Sequence, residues 1–102
     1  MIALNKELFD REIQGSKPVL VDYWAPWCVY CRRLAPALAD FARQHPELTV
    51  AQVNIDEEPV LARQERIEVI PTLVLYQNGQ ALGSIVAPES KAMLEEFVEE
   101  LL

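Results

Sequence analysis

The only two cysteines of the chain, Cys28 and Cys31, lie three positions apart between a strand-like run and a helical pattern. The run Val19–Trp24 is rich in strand-forming residues, and residues 32–43 repeat apolar side chains at helical spacing. This order places Cys28 at the start of a helix and Cys31 inside its first turn. Unpaired N–H groups at a helix start favour negative charge, so the first thiol can be held as a thiolate. The pattern predicts a redox site, with Cys28 as nucleophile and Cys31 as resolving thiol.

The order of the remaining elements favours a three-layer α/β domain. Strand patterns occupy residues 2–4, 19–24, 48–55, 72–76 and 81–86, and helical patterns lie near residues 5–14, 32–43, 56–66 and 90–101. Strands that alternate with helices pair in parallel, whereas a two-residue turn at Asn78 and Gly79 makes the last strand antiparallel. We expect a single domain over residues 1–102, with a mixed sheet of four to five strands flanked by four helices.

The composition favours one cellular compartment and argues against some classes of partner. A net charge of −7 argues against nucleic acid, because a phosphate surface would repel the protein. No apolar run approaches the length of a membrane span, and no secretory signal is visible before Glu7. We therefore expect a cytoplasmic monomer that does not bind membranes. In a reducing cytosol, paired cysteines are more often catalytic or metal-binding than structural.

The stretch Trp27-Cys28-Val29-Tyr30-Cys31 resembles the active-site motif of the thioredoxin family. Further similar stretches follow along nearly the whole chain: Val21–Ala25, Pro36, Val53–Asp56, Ile70-Pro71-Thr72 and Asn78-Gly79. The resemblance implies the thioredoxin fold and a general protein-disulfide reductase, whose substrates are disulfide-containing proteins. It also implies that the protein has no bound cofactor and is recharged by a thioredoxin reductase-like partner drawing on NADPH.

The resemblance and the residue pattern together nominate further site residues. Asp22 interrupts an apolar strand, where burial raises the pKa of a carboxyl group towards a value useful for proton transfer. As the resemblance implies, it would accept the proton of Cys31 through water and later give it up. The expected substrate-binding surface comprises Trp27, Val29, Tyr30, Ile70, Pro71 and Ala87. The bond before Pro71 is expected to be cis, which would bring the Ile70 backbone beside Cys28.

Three positions depart from the family pattern. Val29 and Tyr30 replace the usual Gly-Pro, Gln52 stands where a lysine is common, and Ala87 stands where a glycine is usual. Proline has no backbone N–H, so Tyr30 brings one that proline lacks. We expect this N–H to point at the sulfur of Cys28 and to stabilise its thiolate.

Several other functions fit part of the pattern. Within the same chemistry, the protein could be an oxidase or isomerase that makes or shuffles disulfides. A non-catalytic binding module on the same fold would not need both cysteines. A metal site needs two more ligands, and because His45 is the only obvious soft donor left, a second chain would have to complete it. A purely structural disulfide is the remaining alternative, and no metal ligand is predicted within this chain.

Overall fold

The computed structural model describes residues 1–102 and contains one five-stranded sheet. The strands are β1 (Ile2–Ala3), β2 (Val19–Trp24), β3 (Thr49–Asn54), β4 (Thr72–Gln77) and β5 (Gln80–Val86), and the sheet order is β1-β3-β2-β4-β5. The helices are α1 (Lys6–Ile13), α2 (Val29–Gln44), α3 (Pro59–Gln64) and α4 (Lys91–Leu101). The predicted fold class, a mixed sheet flanked by four helices, is confirmed.

Apolar side chains fill both faces of the sheet. On one face, α1 and α3 pack against the strands through a buried cluster that includes Phe9, Ile13, Leu61, Tyr23 and Tyr76. On the other face, α2 and α4 cover a second cluster that includes Leu34, Leu38, Phe41, Leu94 and Val98. Because successive side chains of a strand point to opposite faces, β2 contributes Leu20 to the α2 side and Val21 to the α1 side.

The direction of β4 differs from the sequence-based expectation, which made only the last strand antiparallel. β1, β3 and β2 are parallel, but β4 is antiparallel to β2, and Thr72 at its start pairs with Tyr23 near the end of β2. The six residues of α3 span about 9 Å, whereas a six-residue strand spans about 20 Å. The short helix does not by itself carry the chain back along the sheet, and β4 starts where β2 and β3 end.

The predicted two-residue turn forms, and two helix starts are capped by side chains. The side chain of Asn5 caps α1, accepting a hydrogen bond from the N–H of Leu8 at 2.8 Å, and Ser90 caps α4 in the same way. Asn78 and Gly79 both have positive φ, 53° and 80°, which is the conformation that a two-residue hairpin turn requires. None of the helices is both long and apolar enough to cross a membrane.

His45 links the end of α2 to α4, a role that the sequence did not suggest. Its ring stacks on Phe41 with centroids 4.5 Å apart, and its Nε2 lies 2.7 Å from a carboxylate oxygen of Glu95 on α4. A second link between the same helices is the ion pair of Lys91 with Asp40, at 3.2 Å. These contacts fix α2 at the end opposite to the cysteines.

Candidate active site

Cys28 and Cys31 form a disulfide at the start of α2, with their Cα atoms 5.2 Å apart. Cys28 is the N-cap residue, with extended backbone angles (φ −85°, ψ 113°), and α2 begins at the next residue. Its Sγ accepts a hydrogen bond from the N–H of Cys31 at 3.2 Å. The two cysteines are 6% and 4% exposed, so that exposure does not distinguish them. Position does, since only Cys28 has its sulfur at the unpaired N–H groups of the helix start.

The donor to the Cys28 sulfur is not the one expected from the sequence. No hydrogen bond links the N–H of Tyr30 to this sulfur, and the Cys31 N–H occupies that role. The side chain of an N-cap residue can reach the N–H groups two or three positions further on, which here belong to Tyr30 and Cys31. Here the residue three positions on, Cys31, is the donor. The expectation for the Tyr30 N–H is therefore wrong in the disulfide form.

Asp22 lies in the middle of the sheet and is only 3% exposed. It faces the same side as Leu20, the side that α2 covers, and its register partners are Gln52 on β3 and Leu73 on β4. Its Oδ2 accepts a hydrogen bond from Nε2 of Gln52 at 3.3 Å, whereas its Oδ1 is buried without a partner. Burial raises the pKa of Asp22 to about 6, and the Gln52 hydrogen bond opposes part of this rise.

The segment around Pro71 borders the disulfide on one side. The Ile70–Pro71 peptide bond is cis, and the carbonyl oxygen of Ile70 lies 3.8 Å from Sγ of Cys28. The N–H of Ala87 donates a hydrogen bond to the carbonyl of Pro71 at 2.8 Å, so that these two predicted residues lie together. Ala87 has a φ of 46°, a left-handed conformation that favours glycine. The glycine of the family pattern thus corresponds to a real backbone requirement at this position.

Exposed side chains surround the disulfide on the other sides. Trp27 and Tyr30 are each 63% exposed, and Val29 is also exposed. The indole N–H of Trp27 donates to Oδ2 of Asp56 at 2.9 Å, which holds the ring at the site. Tyr30 shares a cavity of about 250 Å³ with Ala87, so the structure brings these two predicted residues together as well.

Two residues of this surface were missed by the sequence reasoning. Asp56 lies in the family-like stretch Val53–Asp56 and in the predicted helix 56–66, and Arg33 lies in the predicted helix 32–43, but neither is among the predicted site residues. The guanidinium of Arg33 lies 5.5 Å from the centre of the Tyr30 ring and lines the same cavity as Tyr30. Arg33 could have been suspected from its spacing of three from Tyr30 on α2, whereas Asp56 is 29 positions from Trp27 and carries no local signal.

The side chains do not assemble a metal centre within the chain. No three histidine, cysteine, aspartate or glutamate side chains lie close enough together to hold a metal ion. His45, the further soft donor considered from the sequence, lies at the other end of α2 and binds Glu95 instead. A metal held by the two cysteines would therefore need ligands from outside this chain.

Known proteins share this arrangement over the whole chain. The sequence model of the thioredoxin family matches residues 1–100. The chain is 43% identical to the thioredoxin of Alicyclobacillus acidocaldarius subsp. acidocaldarius, over 99% of this chain and 97% of that protein. It is also 43% identical to a bifunctional thioredoxin reductase/thioredoxin of Mycobacterium leprae, over 88% of this chain but 20% of that longer protein. Oxidised mitochondrial thioredoxin 3 from Saccharomyces cerevisiae superposes with a TM-score of 0.89 at 27% identity, covering 99% and 95% of the two chains. The chain belongs to the thioredoxin family of thiol–disulfide oxidoreductases.

Proposed function

We propose that the protein is a general protein-disulfide reductase, with Cys28 as the nucleophile and Cys31 as the resolving thiol. The observation that carries this proposal is the position of Cys28 as the N-cap of α2, where its sulfur accepts the N–H of Cys31. A sulfur in that place is stabilised as a thiolate, and the thiolate is the attacking species in disulfide exchange.

In the first step, the Cys28 thiolate attacks one sulfur of a substrate disulfide. The substrate S–S bond breaks, a bond forms between Cys28 and that sulfur, and the second substrate sulfur leaves as a thiolate. The carbonyl of Ile70 lies 3.8 Å from the attacking sulfur and offers strand-like pairing to the backbone of the substrate.

In the second step, Cys31 loses its proton and attacks the sulfur of Cys28. The mixed disulfide breaks, the Cys28–Cys31 disulfide forms, and the remaining substrate sulfur leaves as a thiolate. Two electrons have then moved from the dithiol to the substrate. Asp22 takes the proton of Cys31 through water, and a pKa of about 6 suits it to accept and release a proton near neutral pH.

The substrate-binding surface consists of the six residues around the disulfide: Trp27, Val29, Tyr30, Ile70, Pro71 and Ala87. Exposed aromatic and aliphatic side chains next to a free backbone carbonyl suit an extended segment of many different proteins. This breadth supports a general reductase more than an enzyme for one small molecule.

The electrons come from a thioredoxin reductase-like partner that draws on NADPH. The fusion of a reductase with a thioredoxin in the Mycobacterium leprae relative supports such a pairing. Thioredoxins act without a bound cofactor of their own, so the two cysteines carry the electrons in their dithiol form. We further propose that residues 1–102 act as one monomeric domain in the cytoplasm.

The roles of the two cysteines are tested by trapping. The Cys31→Ser variant should accumulate mixed disulfides with substrate proteins, because nothing resolves them, while Cys28→Ser should form none and reduce nothing. Non-reducing electrophoresis and mass spectrometry identify the adducts. Adducts on Cys28→Ser with none on Cys31→Ser would reverse the assignment.

The direction of electron flow is tested by the reduction potential of the Cys28–Cys31 couple. A reduction potential of about −270 mV is typical of a reductase of the thioredoxin type, whereas a potential of about −120 mV is typical of a strong oxidant. Equilibration with defined glutathione or dithiothreitol mixtures measures it. A value close to about −120 mV would contradict the proposed reductase and would indicate an oxidase.

A further inference from the structure

The carboxyl group of Asp22 has two oxygen atoms in unlike surroundings. Oδ2 accepts a hydrogen bond from Nε2 of Gln52, and Oδ1 is buried with no partner. We propose that Gln52 is a positioning residue that occupies Oδ2, so that Oδ1 is the atom of Asp22 that takes up and releases the proton. The proposal deepens the role of Asp22 given above and rests on it.

The orientation of the Gln52 amide follows from the chemistry of an ionised carboxylate. A carboxylate only accepts hydrogen bonds, so the NH₂ end of the amide must face it. When the carboxyl group is protonated, the arriving proton finds Oδ2 already accepting and Oδ1 free. Protonation at Oδ1 keeps the hydrogen bond to a carbonyl oxygen, which is a strong acceptor, while protonation at Oδ2 would leave the amide only the weaker acceptor of a hydroxyl group.

The backbone of Gln52 is held on both sides. It lies on β3 between β1 and β2, with Ala3 and Asp22 as register partners, and its carbonyl accepts the N–H of Leu4 at 2.8 Å. Since the strand cannot shift, only the side-chain torsions can move the amide. A residue whose backbone is held in this way can keep one carboxylate oxygen occupied through repeated cycles.

Gln52 also borders a space that water can enter. It lines a cavity of about 260 Å³, together with Trp24, Asn54 and Glu57, whereas Asp22 does not line it. Gln52 thus contacts the almost fully buried carboxyl group of Asp22 and also borders a water-accessible space. A side chain without an N–H at position 52 would leave both carboxylate oxygens of Asp22 without a side-chain donor from β3.

The two protonation sites predict different infrared spectra. If Oδ1 carries the proton, the C=O group of the acid is Oδ2, which accepts the Gln52 N–H, and its stretching frequency is lowered. The measurement is made on the oxidised protein near about pH 5, between the ordinary pKa of a carboxyl group and that of Asp22. The spectrum of Asp22→Asn, subtracted from that of the parent, isolates the Asp22 band.

Gln52→Met, which keeps the length of the side chain but lacks the N–H, should shift this band to higher frequency. Gln52→Leu provides a second variant of the same kind should the first fail to fold. The control is Gln80→Leu, an exposed glutamine on β5, which should leave the band in place. A band that already lies at the free C=O frequency in the parent, and does not move in either variant, would overturn the proposal. This readout needs no turnover, so it is independent of the cysteine-trapping result.

Discussion

Replacing Asp22 with asparagine should stabilise the protein at neutral pH while slowing its reaction. Asparagine has the size of the aspartate and no charge, so the cost of burying an ionised carboxylate disappears. That cost is large here because Asp22 is only 3% exposed and has a single hydrogen bond, from Gln52. Loss of the proton acceptor should slow the second step at the same time.

The magnitude follows from the pKa of Asp22, which is about 6 in the folded protein against an ordinary value of 3.8. The difference corresponds to about 3 kcal/mol of lost stability when the group is ionised in both states. Because the folded pKa is the higher one, this loss is absent below pH 3.8 and grows as the pH rises through about 6. The stability gap between Asp22→Asn and the parent should therefore be close to its full value above about pH 7, and below about 1 kcal/mol at about pH 4.

Urea denaturation of both oxidised proteins across this pH range measures the gap. The comparison between two pH values cancels any fixed cost of the buried asparagine amide, and the other carboxyl groups titrate in both proteins. At neutral pH, a gap of about 3 kcal/mol corresponds to roughly 12 to 24 °C in the midpoint of thermal unfolding. If this difference in the free energy of unfolding does not change between about pH 4 and pH 8, ionisation of Asp22 does not destabilise the folded protein and the reasoning is refuted.

Substitutions at three further positions test other parts of the site. Ala87→Gly should raise the free energy of unfolding by about 0.5 to 1 kcal/mol, because glycine relieves the left-handed backbone there; calorimetry that finds destabilisation would contradict this. Asp56→Ala removes the acceptor of the Trp27 indole and should cost about 1 kcal/mol, or roughly fivefold in kcat/KM with a protein disulfide, while Asp56→Asn keeps an acceptor and should cost less. Gln52→Ala should lower the pKa of Asp22 despite the lost hydrogen bond, because burial is the main cause of the raised pKa and water from the neighbouring cavity can then reach the carboxyl group. A pH titration of the infrared band that finds a higher pKa in the variant would contradict this.

Local signals in the sequence were sufficient for most of the fold. The positive φ angles of Asn78 and Gly79, and the caps by Asn5 and Ser90, depend on nearest neighbours, so the residue types alone specify them. The burial of Asp22 also followed from its place in an apolar strand. The direction of β4 did not follow, because it depends on how far the short helix α3 carries the chain, and the sequence pattern extended that helix too far.

Contacts between distant positions account for what the sequence could not predict in the site. Trp27 and Asp56 are 29 positions apart, and His45 and Glu95 are 50 apart. Their pairing depends on which helix lies over which strand, and no local pattern encodes that. The donor to the Cys28 sulfur is a short-range exception. The choice between the N–H groups of Tyr30 and Cys31 depends on the cap geometry, which the residue types alone do not specify.

The chain has only two tryptophans, and both lie beside the disulfide. Trp24 packs, partly buried, against the small cluster that contains Cys28 and Cys31, and Trp27 precedes Cys28 with most of its ring exposed. A disulfide accepts an electron from an excited indole and quenches its fluorescence, whereas two thiols quench it less. Intrinsic fluorescence should therefore brighten when the protein is reduced, with no distant tryptophan to dilute the signal. Tryptophan fluorescence therefore reports the change between dithiol and disulfide, and the rate of reaction with a substrate can be measured without a label.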